Sequence, residues 1–175
     1  MKILGLLRHA KSDWSDSDKR DFDRGLNDKG CKGAAVVGQH VRDHGVKWSK
    51  IVASPAKRVK TTLAEAAIGP EPEWEQDLYL ASTETICDVI REHGDDAKAV
   101  LLAGHNPGFG DMVFELVAPS NENDLFDEAK VKFPTASFAV FELDIDDWGD
   151  LKEGCGKLVH FARPRDLDPE LGPEH

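Results

Sequence analysis

Short apolar runs alternate with helix-length segments along most of this chain, and that alternation constrains the fold more than any other feature. "KILGLL" (2–7), "KIVAS" (50–54) and "AKAVLLAG" (97–104) are too short for helices and read as buried strands. Between them, "LNDKGCKGAAVVGQHVRDHG" (26–45) carries apolar residues at helical spacing and stops at His44-Gly45. "PAKRVKTTLAEAAIG" places Pro55 in a first turn and Gly69 at a terminus, the asymmetry of a helix. "STETICDVIREHG" reads as a helix capped by Ser82 or Thr83, and "HNPGFGDMVFELVA" turns from a strand into another helix.

"KSDWSDSDKRDFDRG" (11–25) is too polar to pack and reads as a loop, while "EPEWEQDLYLA" (71–81) reads as extended or irregular. "ASFAVFELDI" (136–145) and "GKLVHFARP" (156–164) form a hairpin-like strand pair. The expected fold is α/β: a three-layer α/β/α sandwich around a mostly parallel central sheet. No repeat or linker divides the chain. One domain is expected over residues 1–165, followed by an acidic, Pro-containing tail over 166–175 that adds no core.

The 175 residues are enough for a full core. A formal net charge of -11 argues against nucleic acid and against docking on an anionic membrane, both of which need a basic footprint. An acidic protein can still serve an anionic substrate if its pocket is locally positive. No apolar stretch approaches a membrane span or a secretory signal. Cys31, Cys87 and Cys155 are odd in number and far apart, so no disulfide is expected and a cytoplasmic location fits. His40, His44, His93, His160 and His175 show no ligand spacing, so neither a metal nor another cofactor is expected.

In a parallel sheet, ligands bind beyond the carboxyl ends of the strands. Here the first strand ends in Arg8-His9, the second runs into "SPAKR" with Arg58, and the third ends in His105-Asn106-Pro107. Two histidines and two arginines at one sheet edge make a positive site suited to a tetrahedral oxyanion. Arginine holds two phosphate oxygens with planar donors, and neutral imidazole accepts a phosphoryl group covalently. Asn106 would cap the helix after it and aim that helix's N-terminus at phosphate.

"LLRHAKS", "SPAKRVKTT" and "LLAGHNPG", in this order, resemble the histidine phosphatase superfamily, the phosphoglycerate mutase-like clan. "DFDRGLNDKG", "KFPTASFAVFEL" and "LVHFARPRDL" are similar to its small SixA-like phosphohistidine phosphatase branch, so the resemblance spans nearly the whole chain. It implies that His9 accepts the phosphoryl group, that Arg8 and Arg58 hold its oxygens, and that His105 donates to them. It also implies that Arg24 borders the substrate. Arg-His-Gly of the superfamily reads Arg-His-Ala here.

The general-acid carboxylate of many relatives has no clear match. Glu84 and Asp77 are the nearest candidates, and the alternative for Glu84 is an ordinary early-helix glutamate. A missing acid suits a leaving group such as imidazole better than an alkoxide. The expected activity is therefore a metal-independent phosphatase acting on phosphohistidine, with a phosphorelay protein as partner. The alternatives are a phosphatase of a small phosphomonoester and a non-catalytic phosphate-binding module. Trp14, in the loop after the nucleophile, is a candidate wall of the substrate mouth. The sequence leaves the oligomeric state open.

Overall fold

A computed structural model describes residues 1–172 as a single six-stranded sheet between two helical layers. The strands are β1 (Lys2–Arg8), β2 (Lys50–Ala53), β3 (Glu73–Trp74), β4 (Ala99–Gly104), β5 (Phe138–Leu143) and β6 (Gly156–Ala162). Their order is β3-β2-β4-β1-β5-β6. β1 to β4 pair in parallel, while β5 runs antiparallel to both β1 and β6. The α/β sandwich with a mostly parallel sheet is thus the observed fold, closed on one side by the expected hairpin-like pair.

The helices are α1 (Asp28–His44), α2 (Lys57–Ala66), α3 (Thr83–His93), α4 (Gly108–Leu116), α5 (Asp124–Val131) and α6 (Pro164–Leu167). The two-residue period of the strands sorts them into layers. Leu4 and Leu6 of β1 join Val100 and Leu102 of β4 in a core with Ile86, Ile90, Phe109, Met112 and Phe126 of α3, α4 and α5. On the other face, Leu7, Ile51 and Leu101 pack against Val37, Val41, Val59 and Leu63 of α1 and α2. Each buried leucine or isoleucine contributes about 1.5–3 kcal/mol.

The glycine inside "ILGLL" is required by that packing. A Cβ on Gly5 would lie 2.5 Å from the Trp48 ring, which covers the strand at that point. α1 and α2 meet just as closely, because a Cβ on Gly38 would lie 2.2 Å from the Ala66 carbonyl oxygen. Asn27 caps α1 by accepting from the Gly30 N–H at 2.7 Å, and Gly45 closes it in the left-handed region at φ 95°.

The structure departs from the sequence reading in several places. α2 ends at Ala66 with Ala67 in the left-handed region, so Gly69 is not its terminus; Pro55 precedes the cap residue Ala56 rather than opening the helix. The "irregular" segment 71–81 contains β3 and a 3-10 turn, Gln76–Leu78. No element was expected over 119–135, yet α5 lies there and buries Phe126 and Ala129.

The tail also adds to the core. Leu167 packs on the α1 side, and Lys29 donates to the Gly172 carbonyl at 2.7 Å. Acidic composition hid a short helix anchored by one leucine. His175, at the end of that tail, lies outside the described residues. No helix among the described residues is long and apolar enough to cross a membrane.

Candidate active site

Strand register brings the chemistry together. Arg8 pairs with Gly104 and Ala53 with Ala103, so β1, β2 and β4 end at the same level. The next residues are therefore side by side: His9 N–H donates to the Gly104 carbonyl, and Ser54 N–H to the Ala103 carbonyl, both at 3.0 Å. Arg58 arrives from the first turn of α2, whose Thr62 hydroxyl accepts from the Ala10 N–H at 2.9 Å and so ties the helix to the β1 end. His9, His105 and Arg58 are all buried, and the two imidazole centroids are 5.4 Å apart.

His9 has a defined tautomer. Its Nδ1 lies 2.7 Å from the Ala10 carbonyl, which can only accept, so Nδ1 carries the hydrogen and Nε2 carries the lone pair. Burial, with the charges of Arg8 and Arg58, pushes His9 down to about 4 despite the opposing bond to Ala10. At neutral pH the ring is an uncharged nucleophile.

His105 is pushed to about 3, first by burial and then by His9 and Arg58. Its Nε2 is 2.8 Å from Ser54 Oγ, and its Nδ1 is 3.3 Å from Arg58 Nη2. Arg58 can only donate, so His105 Nδ1 accepts and the hydrogen sits on Nε2, which donates to Ser54 Oγ.

Arg8 donates through Nη1 to the Phe133 carbonyl at 3.0 Å, while its buried Nε–H finds no acceptor. Burial and then the Arg58 charge lower its pKa, so the two guanidinium groups disfavour one another. Arg58 donates to the Asp21 carbonyl at 2.8 Å and to Asp21 Oδ2 at 3.0 Å. The Tyr79 hydroxyl donates to the same carboxylate oxygen. Partial burial works to raise the Asp21 carboxyl, but the bonds from Tyr79 and Arg58 outweigh it and hold Asp21 below the usual range. Asp21 is thus an ionised counter-charge to Arg58.

Arg8, His9, Arg58, Asn106, Asp21 and Trp14 line a cavity of about 290 Å³. Asn106 donates to the Phe133 carbonyl at 2.8 Å and accepts from the Gly110 N–H at 3.1 Å, stabilising the start of α4. The formal cap position is Pro107, not Asn106.

Arg24 stands apart from this group. It is buried, with its guanidinium donating to the carbonyls of Asp13, Asp16 and Lys19 at 3.0 to 3.2 Å. The exposed Trp14 ring stacks on it at 3.8 Å, so Arg24 shapes the loop and seats the aromatic wall of the cavity. Glu84 is exposed in the first turn of α3, Asp77 is exposed in the 3-10 turn before it, and neither lines the cavity.

Three residues here were not singled out from the sequence. Asp21 was visible as the carboxylate three positions before Arg24 in "DFDRG". Ser54 stood only as the first residue of "SPAKR" after the second strand, and Tyr79 carried no local signal.

The model of the histidine phosphatase superfamily (branch 1) matches residues 4–82. An uncharacterized protein of Mycobacterium tuberculosis is 31% identical over 160 residues, which span 91% of this chain and 100% of that protein. A structure assigned as the phosphohistidine phosphatase SixA of Nakamurella multipartitia superposes with TM-score 0.81 at 29% identity, covering 93% of this chain and 96% of that one. Another, assigned as SixA of Agrobacterium tumefaciens, gives TM-score 0.76 at 28% identity over 93% and 98% of the two chains. With the strand-end motifs in order and this fold around them, the chain belongs to the histidine phosphatase superfamily, in its SixA-like branch.

Proposed function

We propose that the protein is a phosphohistidine phosphatase that carries the phosphoryl group transiently on His9 without a metal in the reaction. The observation that carries this reading is the Nδ1 contact with Ala10, which leaves the His9 Nε2 lone pair available in a cavity lined by Arg8 and Arg58. A substrate phosphoryl group binds with its oxygens on Arg8 and Arg58. As Arg58 turns its Nη2–H from His105 Nδ1 to the phosphoryl oxygens, the His105 hydrogen shifts from Nε2 to Nδ1, Nε2 accepts from the Ser54 hydroxyl, and Nδ1 donates to the same oxygens. His9 Nε2 attacks phosphorus, and the bond to the leaving nitrogen breaks in line. A leaving imidazole protonated on its far nitrogen departs neutral. Water then cleaves the phosphorus–His9 bond, releasing orthophosphate.

The choice of substrate rests on the carboxylates. Asp21 is the carboxylate lining the cavity, and it is held ionised by Tyr79 and Arg58, a poor state for donating a proton. An alkoxide leaving group needs such a donor and a protonated imidazole does not. A protein substrate is supported by the cleft's surroundings. An adjoining cavity of about 340 Å³ includes Lys11, Lys29, Lys132 and Arg165, beside Arg163 paired with Asp166 and Glu128; the excess of cations suits an acidic partner such as a phosphorelay domain.

The test compares hydrolysis of a phosphohistidine peptide, an aryl phosphate and an alkyl phosphate by wild type and His9→Ala in chelator-treated buffer. We expect His9→Ala to lose turnover on all three, and the wild type to prefer the peptide strongly over the alkyl phosphate. Equal rates on peptide and alkyl phosphate would remove the phosphohistidine assignment. Full activity in His9→Ala would remove the covalent intermediate, and no hydrolysis of any substrate would leave a phosphate-binding module.

A further inference from the structure

Outside the phosphate site, the chain assembles a second group of imidazoles. His40 and His44 stand one turn apart near the end of α1, on one helix face, and His160 reaches them from β6. One ring nitrogen from each of the three lies within 4.8 Å of the other two. His40 Nε2 and His160 Nε2 are 2.7 Å apart, sharing one hydrogen, and the His44 and His160 rings stack at 4.2 Å. All three are half-buried, so ions from solvent can reach them. The sequence reading named His160 but could not place it beside α1; the fold sets it against the i, i+4 pair His40 and His44.

From this geometry we infer that His40, His44 and His160 form a binding site for a zinc-class divalent transition ion, clamping α1 to β6. Imidazole is a favoured ligand of this class, and three protein ligands leave a fourth position for water. A tetrahedral ion with Zn–N of about 2.0–2.1 Å separates its ligand nitrogens by about 3.3 Å. The His40–His160 pair must open by about 0.6 Å, and the shared hydrogen moves to the other nitrogen of its ring.

The support behind the rings is rigid. Fully buried Phe138 meets all three edge-on, at 5.8 to 6.4 Å between centroids. Phe138 pairs with Leu7 in β1 and Ala162 in β6, so the site is braced by the sheet itself. It is built from α1 and β6, whereas the phosphate site is built from the ends of β1, β2 and β4.

The experiment titrates untagged, chelator-treated full-length protein with Zn²⁺ by calorimetry and with Co²⁺ by visible absorption. We expect one saturable equivalent, tetrahedral cobalt bands that zinc displaces, and a zinc-dependent rise in Tm. His44→Gln and His160→Gln should each weaken binding by at least roughly tenfold, the order seen when metal shells are disturbed. His9→Ala should leave it intact.

His44 ends its helix, so His44→Gln keeps the test decisive if His160→Gln fails to fold by circular dichroism. The Glu75, Glu92 and His93 group is the internal control. Loss of binding in His93→Gln alone would move the ion there and overturn the proposal. No saturable binding, or unchanged affinity in His44→Gln and His160→Gln, would overturn it equally.

Discussion

The two histidine clusters are made of the same side chain, one buried and the other half-buried, yet they are suited to opposite charges. At the strand ends, His9 lines a cavity with Arg8 and Arg58, His105 contacts Arg58, and a carboxylate balances Arg58. Donors dominate, so the site is shaped for an anion. At the α1–β6 contact, His40, His44 and His160 face one another and the edge of Phe138. There the free lone pairs dominate, so the site is shaped for a cation. Burial lowers His9 and His105 in one place and His44 and His160 in the other; what each ring then does depends on its neighbours.

The comparison breaks most sharply at Arg58. Arg58→Ala should lower kcat on an aryl phosphate by on the order of 10²–10³-fold, the usual cost of one transition-state donor. The same change should leave zinc affinity untouched. A loss below about tenfold would mean that Arg58 does not hold the phosphoryl group.

Acid should weaken the protein through both clusters. His9, His105 and His160 have native values of about 4, 3 and 4, against 6.5 in the unfolded chain. Between those values the unfolded state binds more protons, so stability falls as pH is lowered. The contribution is complete above pH 6.5 and is lost progressively towards about pH 4. For buried His9 the fall from 6.5 to about 4 is on the order of 3 kcal/mol. Urea midpoints measured from pH 7 to 4 should therefore drop, with a shallower drop in His9→Gln. An unchanged pH dependence in that variant would contradict the neutral, buried nucleophile.

The smallest effect is expected at Glu84. Glu84→Gln should change turnover by less than about twofold on phosphohistidine peptide and alkyl phosphate alike, whereas a true general acid contributes about 10²–10⁴-fold. A large loss confined to the alkyl phosphate would make Glu84 the acid and revive a phosphomonoester substrate.

The short apolar strands were legible because each is followed at once by residues that cannot be buried cheaply. "ILGLL" running into Arg8-His9 and "VLLAG" into His105 mark the sheet edge without any tertiary information. Arg24 was read as a substrate neighbour, and its guanidinium is found on three loop carbonyls and the Trp14 ring; a guanidinium in a polar loop looks the same in sequence in either setting. α5 and the anchored tail were missed because short, acidic, weakly apolar segments become ordered only by packing on a core that already exists.

What the chain determined alone was the strand–helix alternation, the sheet edge that carries the arginines and histidines, and the chemistry those side chains share; these follow from local periodicity and residue type. The tertiary structure alone decided which acid meets Arg58, which way His9 carries its hydrogen, and that His160 completes a cluster begun on α1. These depend on how the backbone is placed in space: on segments 120 residues apart for His40 and His160, 37 apart for Asp21 and Arg58, and on the turn that brings the next residue's carbonyl to His9 Nδ1. Local pattern encodes which groups are available, and only packing encodes which of them touch.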